Sequence, residues 1–336
     1  MDKTIVQPEK ALDRIRECAS QNPDSKICIL FIGGEPVMAF KEIKEIVEQC
    51  DAEFADREFE YKMVSNGTLI HGEAQEWILK HQHHFHVTLS IDGDRETHNL
   101  NRCNSFDKID FEFFTKRYQG KKEISMVTTP ETIHSLADNI ILWEKEQFYI
   151  KCMLADGIAW EPERDIPLLE EQLMRLIEYY LSHPEQYPTT MLATSIYAMK
   201  TARADQRCMV GKTSMTILPN GELVPCYRGT PYYGDMDGSI MKALKSGKRQ
   251  FATDECPICI ARDICNACPA QAAQLHQNAH NGHVYCRMQR VLYKATAYLQ
   301  LQMLLNGGEY AYLRNKSGEE RVQIIENAQL ILNTFA

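Results

Sequence analysis

Seven cysteines lie between Cys208 and Cys286 in an ordered array. Seventeen residues separate Cys208 from Cys226, Cys256-x2-Cys259-x5-Cys265-x2-Cys268 follows, and 17 more separate Cys268 from Cys286. The N-terminal stretch MDKTIVQPEKALDRIREC has no apolar segment of the secretory kind. A reducing, cytoplasmic compartment is therefore expected, where such thiols are metal ligands and not disulfides. One tetrahedral zinc takes four thiolates, and two four-iron clusters take eight. Seven leaves one metal position without a protein ligand, and an open position is where a substrate can bind. Structural zinc is the other reading of the same array.

A second set of chemistry-bearing residues lies upstream, in three short polar turns. Gly33-Gly34-Glu35-Pro36 follows the apolar run ICILFI, Ser65-Asn66-Gly67 follows EFEYKMV, and Ser90-Ile91-Asp92-Gly93 closes FHVTLSID. Glycine lets backbone approach a ligand closely, and proline suits a turn or a helix start.

The elements that position these turns follow from hydrophobic period. Helices are predicted over 8–22, 40–50, near 72–80, near 110–118 and over 131–146. Strands are predicted over 27–32, near 58–64, over FHVTLSID, over EISMVTT and over YIKCMLA. Such β-then-α alternation implies a parallel sheet with right-handed crossovers, whose ligand site lies at the C-terminal strand ends. The chain opens on a helix that lacks a strand of its own. Residues 163–205 are expected to be a polar-faced helical linker, and a helical tail follows the cysteines.

With 336 residues, 44% hydrophobic and 25% charged, the chain can form one large domain and a smaller one. A formal net charge of -9 disfavours nucleic acid and anionic membrane as partners. No apolar run is long enough to span a bilayer.

GGEP, then SNGT, then LSIDG followed by His98 and Arg102, resembles the succession found in radical SAM enzymes that modify peptides and proteins. The cysteine array resembles their C-terminal SPASM extension; it departs in spacing only by x2 before Cys268, where x3 is usual. The resemblance covers residues from about 8 to 290. It implies a partial (β/α)6 barrel in an α/β chain, first strand missing, with a C-terminal iron–sulfur module. The corresponding divisions are 1–160 for the barrel, 161–205 for the linker, 206–290 for the SPASM module and 291–336 for the tail.

The resemblance also implies cofactors and partners. One auxiliary [4Fe–4S] cluster would be held by Cys208, Cys226 and Cys268, with one iron open. A second would be held by Cys256, Cys259, Cys265 and Cys286. S-adenosylmethionine would meet Gly33, Gly34, Glu35 and Pro36 through its amino group, with Asn66 and Ser90 near its ribose and carboxylate. A Cys-containing, ribosomally made precursor peptide would be the substrate, its thiolate on the open iron and a thioether the product. A flavodoxin or ferredoxin would donate electrons. Sulfatase-maturing members place Asp after the second cysteine; Tyr227 stands there in this chain, which argues against that reaction. The family's Cys-x3-Cys-x2-Cys motif, which holds the cluster that binds the cofactor, is not in these 336 residues. The expectation is an N-terminally shortened enzyme. The alternatives are a non-catalytic iron–sulfur module that holds peptide beside a complete partner, and a zinc scaffold.

The remaining candidates carry blander expectations. His81 to His86, in HQHHFH, is expected to be a solvated turn whose side chains diverge. Cys28, Cys50 and Cys152 are expected to be small buried hydrophobes. Cys103 lies in a polar loop with no expected role.

Overall fold

The fold is described from a computed structural model covering residues 5–199, 210–246, 248, 250–265, 268–276 and 279–335. Helix α1 (Pro8–Gln21) buries Ala11, Leu12, Ile15 and Ala19, one apolar stripe at helical spacing, with a proline in its first turn. Strand β1 (Ile27–Phe31) follows, then α2 (Phe40–Glu53), whose stripe is Ile43, Ile46, Val47 and Cys50. Strand β2 (Phe59–Ser65) alternates strictly, burying Phe59, Tyr61, Met63 and Ser65. Next come α3 (Glu73–His81), β3 (Phe85–Ser90), α4 (Arg95–Asn101), β4 (Glu123–Thr128), α5 (Leu136–Lys145) and β5 (Tyr149–Leu154).

The strands form one five-stranded sheet in the order β1-β2-β3-β4-β5. β1 to β4 pair in parallel, with Ile29 opposite Tyr61, Tyr61 opposite Phe85, and Leu89 opposite Ile124. Sequential parallel pairing with helical crossovers is the sheet expected from the alternation, and its form is the half-barrel that the resemblance implied. One sheet face is aromatic: Tyr61 stacks on Phe59 and Phe85, and Trp77 of α3 meets Phe85 edge-on at 5.0 Å. The 110–118 region holds a single π-helical turn at Phe113–Arg117, which turns Tyr118 inward so that its hydroxyl accepts from Val87 N at 3.1 Å.

The chain divides into two compact units. One comprises Met1–Met126, Leu142–Ile150 and Met215–Tyr227; the other comprises Val127–Ile141, Lys151–Ser214 and Arg228–Ala336. In the first, the two-residue strands β6 (Thr216–Ile217) and β7 (Leu223–Val224) make a hairpin on α1, where Gln7 N donates to Pro219 O and Arg14 Nε to Gly221 O. The second unit contains α6 (Pro162–Ser182), α7 (Ser239–Lys245), α8 (Pro269–His276), α9 (Ala279–Leu305) and α10 (Gly318–Thr334). Its core joins Leu169, Leu173, Leu176 and Tyr180 of α6 to Met288, Leu299 and Met303 of α9, and to Ile324 and Ile331 of α10. A capping box between Ser317 and Glu320 starts α10.

Three expectations are corrected. The helix begun at Pro162 stops at Ser182, and 183–199 runs without regular structure except for a short turn at Ile196–Ala198. Side chains of α9 and α10 hold that segment by its carbonyls: Gln300 reaches Thr194 O at 2.7 Å and Asn327 reaches Ile196 O at 2.9 Å. These bonds take the place of a helical ladder. Cys28 is exposed, unlike Cys50 and Cys152, because β1 lies at the sheet edge and Cys28 shares a face with the exposed Leu30. The HQHHFH segment is not a solvated turn. His81 and His86 are buried, His81 stacks on Trp77 at 4.0 Å, and His84 Nε2 lies 2.9 Å from Asp51.

Candidate functional site

Three of the polar turns lie at one end of the sheet, because parallel strands all finish on the same side. Glu35 ties the first two together. It caps the short turn Pro36–Ala39, accepting from Val37 N at 3.1 Å, and also accepts from Ser65 Oγ at 2.8 Å and Asn66 N at 2.8 Å. With three donors on its carboxylate, Glu35 builds the site; the accessible surface is the backbone beside it. Gly33 and Gly34 are exposed, and a Cβ on Gly33 would meet nothing within 4 Å. That open backbone is what close approach of a ligand needs.

The second turn is fixed from within. Asn66 Oδ1 accepts from both the amide and the hydroxyl of Thr68, at 2.9 and 2.8 Å. Gly67 has φ +78°, and a Cβ there would lie 3.0 Å from Leu89, so only glycine fits. Ser90 ends β3 half-buried, opposite Ser125. The structure thus brings Glu35 to Asn66 directly, and sets Ser90 at the end of the next strand.

Behind the third turn stands a polar knot that the sequence only hinted at through His98 and Arg102. Arg102 forms a two-pronged pair with buried Asp92, Nε to Oδ2 at 2.8 Å and Nη2 to Oδ1 at 2.9 Å. His98 has no exposed surface; its Nδ1 faces Asp92 N at 3.3 Å and its Nε2 faces Ser105 Oγ at 3.0 Å. Burial, with Arg102 nearby, lowers its pKa to about 4, so it is neutral near pH 7 and its two nitrogens can take opposite roles. Trp143 Nε1 closes the knot on Gly93 O at 2.9 Å.

In the second unit, Cys256, Cys259, Cys265 and Cys286 line one cavity of about 70 Å³, together with Thr253, Arg262, Tyr285 and Arg290. The four thiols come from two places: the Cys256–Cys265 turns, and α9, which carries Cys286. The turns wind tightly, with Cys259 N bonded to Cys256 O and Arg262 N to Cys259 O. α9 comes close because it has Gly282 where it passes Ala252; a Cβ there would sit 2.6 Å from Ala252 O. Thr253 Oγ1 lies 3.4 Å from Cys256 Sγ and 3.9 Å from Cys286 Sγ. Burial, reinforced by Cys256 and Cys265, pushes the Cys286 thiol up to about 11.

Among the described residues, no three His, Cys, Asp or Glu side chains converge tightly enough to hold one metal ion. A four-iron cluster takes one thiolate per iron, so its ligands line a cavity without meeting at a point. The Cys256–Cys286 set has that form, and these donors fit the group. The other proposed set is divided. Cys208 lies outside the described residues, Cys226 belongs to the first unit, and Cys268 belongs to the second. Arg228, paired with Asp156, also reaches Cys268.

No family model matches the chain. A stretch of 72 residues, 21% of the chain, is 36% identical to an uncharacterised protein of Methanocaldococcus jannaschii, and spans about a quarter (24%) of that protein's length. Solved structures are alike over far more. The structure of native anSMEcpe with bound AdoMet superposes with a TM-score of 0.65 at 18% identity, over 91% of this chain and 92% of that one. The structure of anSMEcpe with AdoMet and the Kp18Cys peptide gives 0.64 at 18%, over 89% and 91%. That with the Cp18Cys peptide gives 0.65 at 18%, over 91% of both. The chain therefore has the fold of anSMEcpe, a radical SAM/SPASM peptide-modifying enzyme.

Proposed function

We propose that this chain is of the radical SAM peptide-maturase kind and acts on a Cys-containing, ribosomally made peptide, with a thioether or related crosslink as product. The observation that carries this is the single cavity lined by Cys256, Cys259, Cys265 and Cys286, in a chain with the fold of anSMEcpe. Those four residues would hold one [4Fe–4S] cluster; Cys208, Cys226 and Cys268 would hold another with one iron open to a substrate thiolate. S-adenosylmethionine, if bound beside a reduced cluster that supplied one electron, would furnish the radical chemistry for hydrogen abstraction from a substrate carbon. This chain's residues bind and orient. Gly33 and Gly34 offer open backbone, Glu35 locks that loop to Asn66, and neutral His98 with the Asp92–Arg102 pair holds the turn after Ser90. The hard chemistry belongs to the cofactors, and the protein supplies their placement.

The lack of a Cys-x3-Cys-x2-Cys motif in these 336 residues favours a second reading, an iron–sulfur module that holds peptide without cleaving the cofactor. One experiment addresses both. The anaerobically reconstituted chain is titrated with a Cys-containing peptide and with its Ser copy, under reductant and with S-adenosylmethionine. Tighter binding of the Cys peptide, with a spectral change at one cluster only, is the expected result. Equal binding of the two without spectral change would remove the thiolate role. Formation of 5′-deoxyadenosine separates the enzyme from the binding module.

A further inference from the structure

Thr253 puts a hydroxyl where a valine of the same shape would fit. It is 5% exposed, and among the described residues its hydroxyl meets only two sulfurs, Cys256 Sγ at 3.4 Å and Cys286 Sγ at 3.9 Å. Burying a hydroxyl costs free energy unless a good acceptor answers it, and a neutral thiol is a weak one. A thiolate is a better acceptor, because hydrogen bonds to charged groups are roughly twice as strong as neutral ones. Thiolate is also the form in which cysteine holds metal. We propose that Thr253 is a positioning residue of the four-cysteine site. Its hydroxyl donates to the Cys256 sulfur, with Cys286 as the alternative acceptor, and raises the reduction potential of the cluster those cysteines would hold. The proposal rests on reading the cavity as an iron–sulfur site.

The local fold fixes this donor. Thr253 O accepts from Cys256 N at 3.2 Å, so the residue that starts the turn also turns its side chain toward the cysteine that follows. Its methyl faces α9 at Gly282, where an added Cβ would come within 3.1 Å of Thr253 Cγ2. A β-branched side chain has few rotamers. With Cγ2 seated against α9, Oγ1 is left facing the two sulfurs. Those sulfurs belong to different segments, Cys256 to the turns and Cys286 to α9, and Thr253 lines the cavity between them.

The direction of the effect follows from charge. An electron added to a cluster spreads negative charge onto its sulfurs. Donors to those sulfurs therefore stabilise the reduced state more than the oxidised one, which is how hydrogen bonds tune such centres. Taking the donor away makes reduction harder and lowers the potential. Thr253→Val takes it away with little change of shape, and Thr253→Ser keeps it.

The test titrates the reconstituted full chain anaerobically with dithionite through redox mediators, and reads each cluster by electron paramagnetic resonance. Thr253→Val should hold as much iron as the parent, with the midpoint of one cluster shifted to lower potential and the other unmoved. Thr253→Ser should return to the parent value. If Thr253→Val instead loses half the iron while Thr253→Ser keeps it, the hydroxyl is needed to hold the ligands, and the assigned role stands. Full iron in Thr253→Val with both potentials unchanged would overturn the proposal and leave the cluster reading intact. Thr253→Ser behaving like Thr253→Val in either measurement would assign the effect to packing and overturn it too. A parent protein that takes up no iron would sink the cluster reading, and this proposal with it.

Discussion

At the residue scale, His98 joins structure to a measurable pH response. Its imidazole is fully buried between Asp92 N and Ser105 Oγ, and its folded pKa is near 4 against 6.5 ordinarily. Folded, it stays unprotonated down to about pH 4; unfolded, it takes a proton below 6.5. The unfolded chain therefore binds more protons in that window, and stability falls as pH falls through it. The stabilisation is complete above 6.5 and lost toward 4, worth about 3 kcal/mol in all. His98→Gln should melt lower at neutral pH but lose less between pH 6.5 and 4.5 than the parent, measured by thermal melts across that range. Parallel curves for the two proteins would show that His98 is not the titrating group. The sequence named His98 as part of a motif, but not this role. Burial of an imidazole depends on Phe106 and on Ser105, and nothing in local spacing reveals either contact.

At the element scale, what was legible followed period, and what was not followed tertiary hydrogen bonds. The alternation Phe59, Tyr61, Met63 and the stripe Ile43, Ile46, Val47 and Cys50 announce their strand and helix without help. The three strand-end turns were legible because glycine and polar residues punctuate apolar runs. The segment after Ser182 has a helical pattern in sequence but no helical ladder in the fold, because its carbonyls are satisfied by Gln300 and Asn327, over 100 residues away in sequence. Gly282 is a packing feature of the same sort. Alanine is favoured over glycine inside a helix by about 1 kcal/mol. Here its Cβ would lie 2.6 Å from Ala252 O, a backbone atom that cannot swing aside. The clash outweighs the propensity, and Gly282→Ala should cost about 1–3 kcal/mol. Gly318, the first residue of α10, has nothing within 4 Å of an added Cβ. Gly318→Ala should be neutral or gain up to about 1 kcal/mol. Denaturant melts of the pair decide it, and equal midpoints would show that α9 yields without cost.

At the scale of the whole molecule, the cysteine array and the helical core of the second unit converge on α9. That helix carries Cys286 near its start and buries Met288, Leu292, Leu299 and Met303 along its length. Cys286 comes from the far end of the array, so a cluster bound there fastens the Cys256–Cys265 turns to the packed helices. Metal that binds only the folded site adds its binding energy to folding, on the order of 10 kcal/mol for such sites. The cavity is small, and its wall mixes the four thiols with Arg262, Arg290 and the apolar Phe251, Ala252, Ala261 and Tyr293, so without metal only these side-chain contacts join the turns to α9. The reconstituted protein should therefore contain about eight iron and eight sulfide. Cys286→Ala should lose about half of that iron and melt well below the parent. Cys103 provides the contrast: it is exposed, has φ +51° in a loop, and belongs to no proposed ligand set. Cys103→Ala should keep all its iron and stay within about 1 kcal/mol of the parent. Iron analysis and melting of the two variants side by side make the comparison. If Cys286→Ala keeps its iron and its melting point while Cys103→Ala loses iron, the ligand set is misassigned and the cavity around Cys256 holds something other than a cluster.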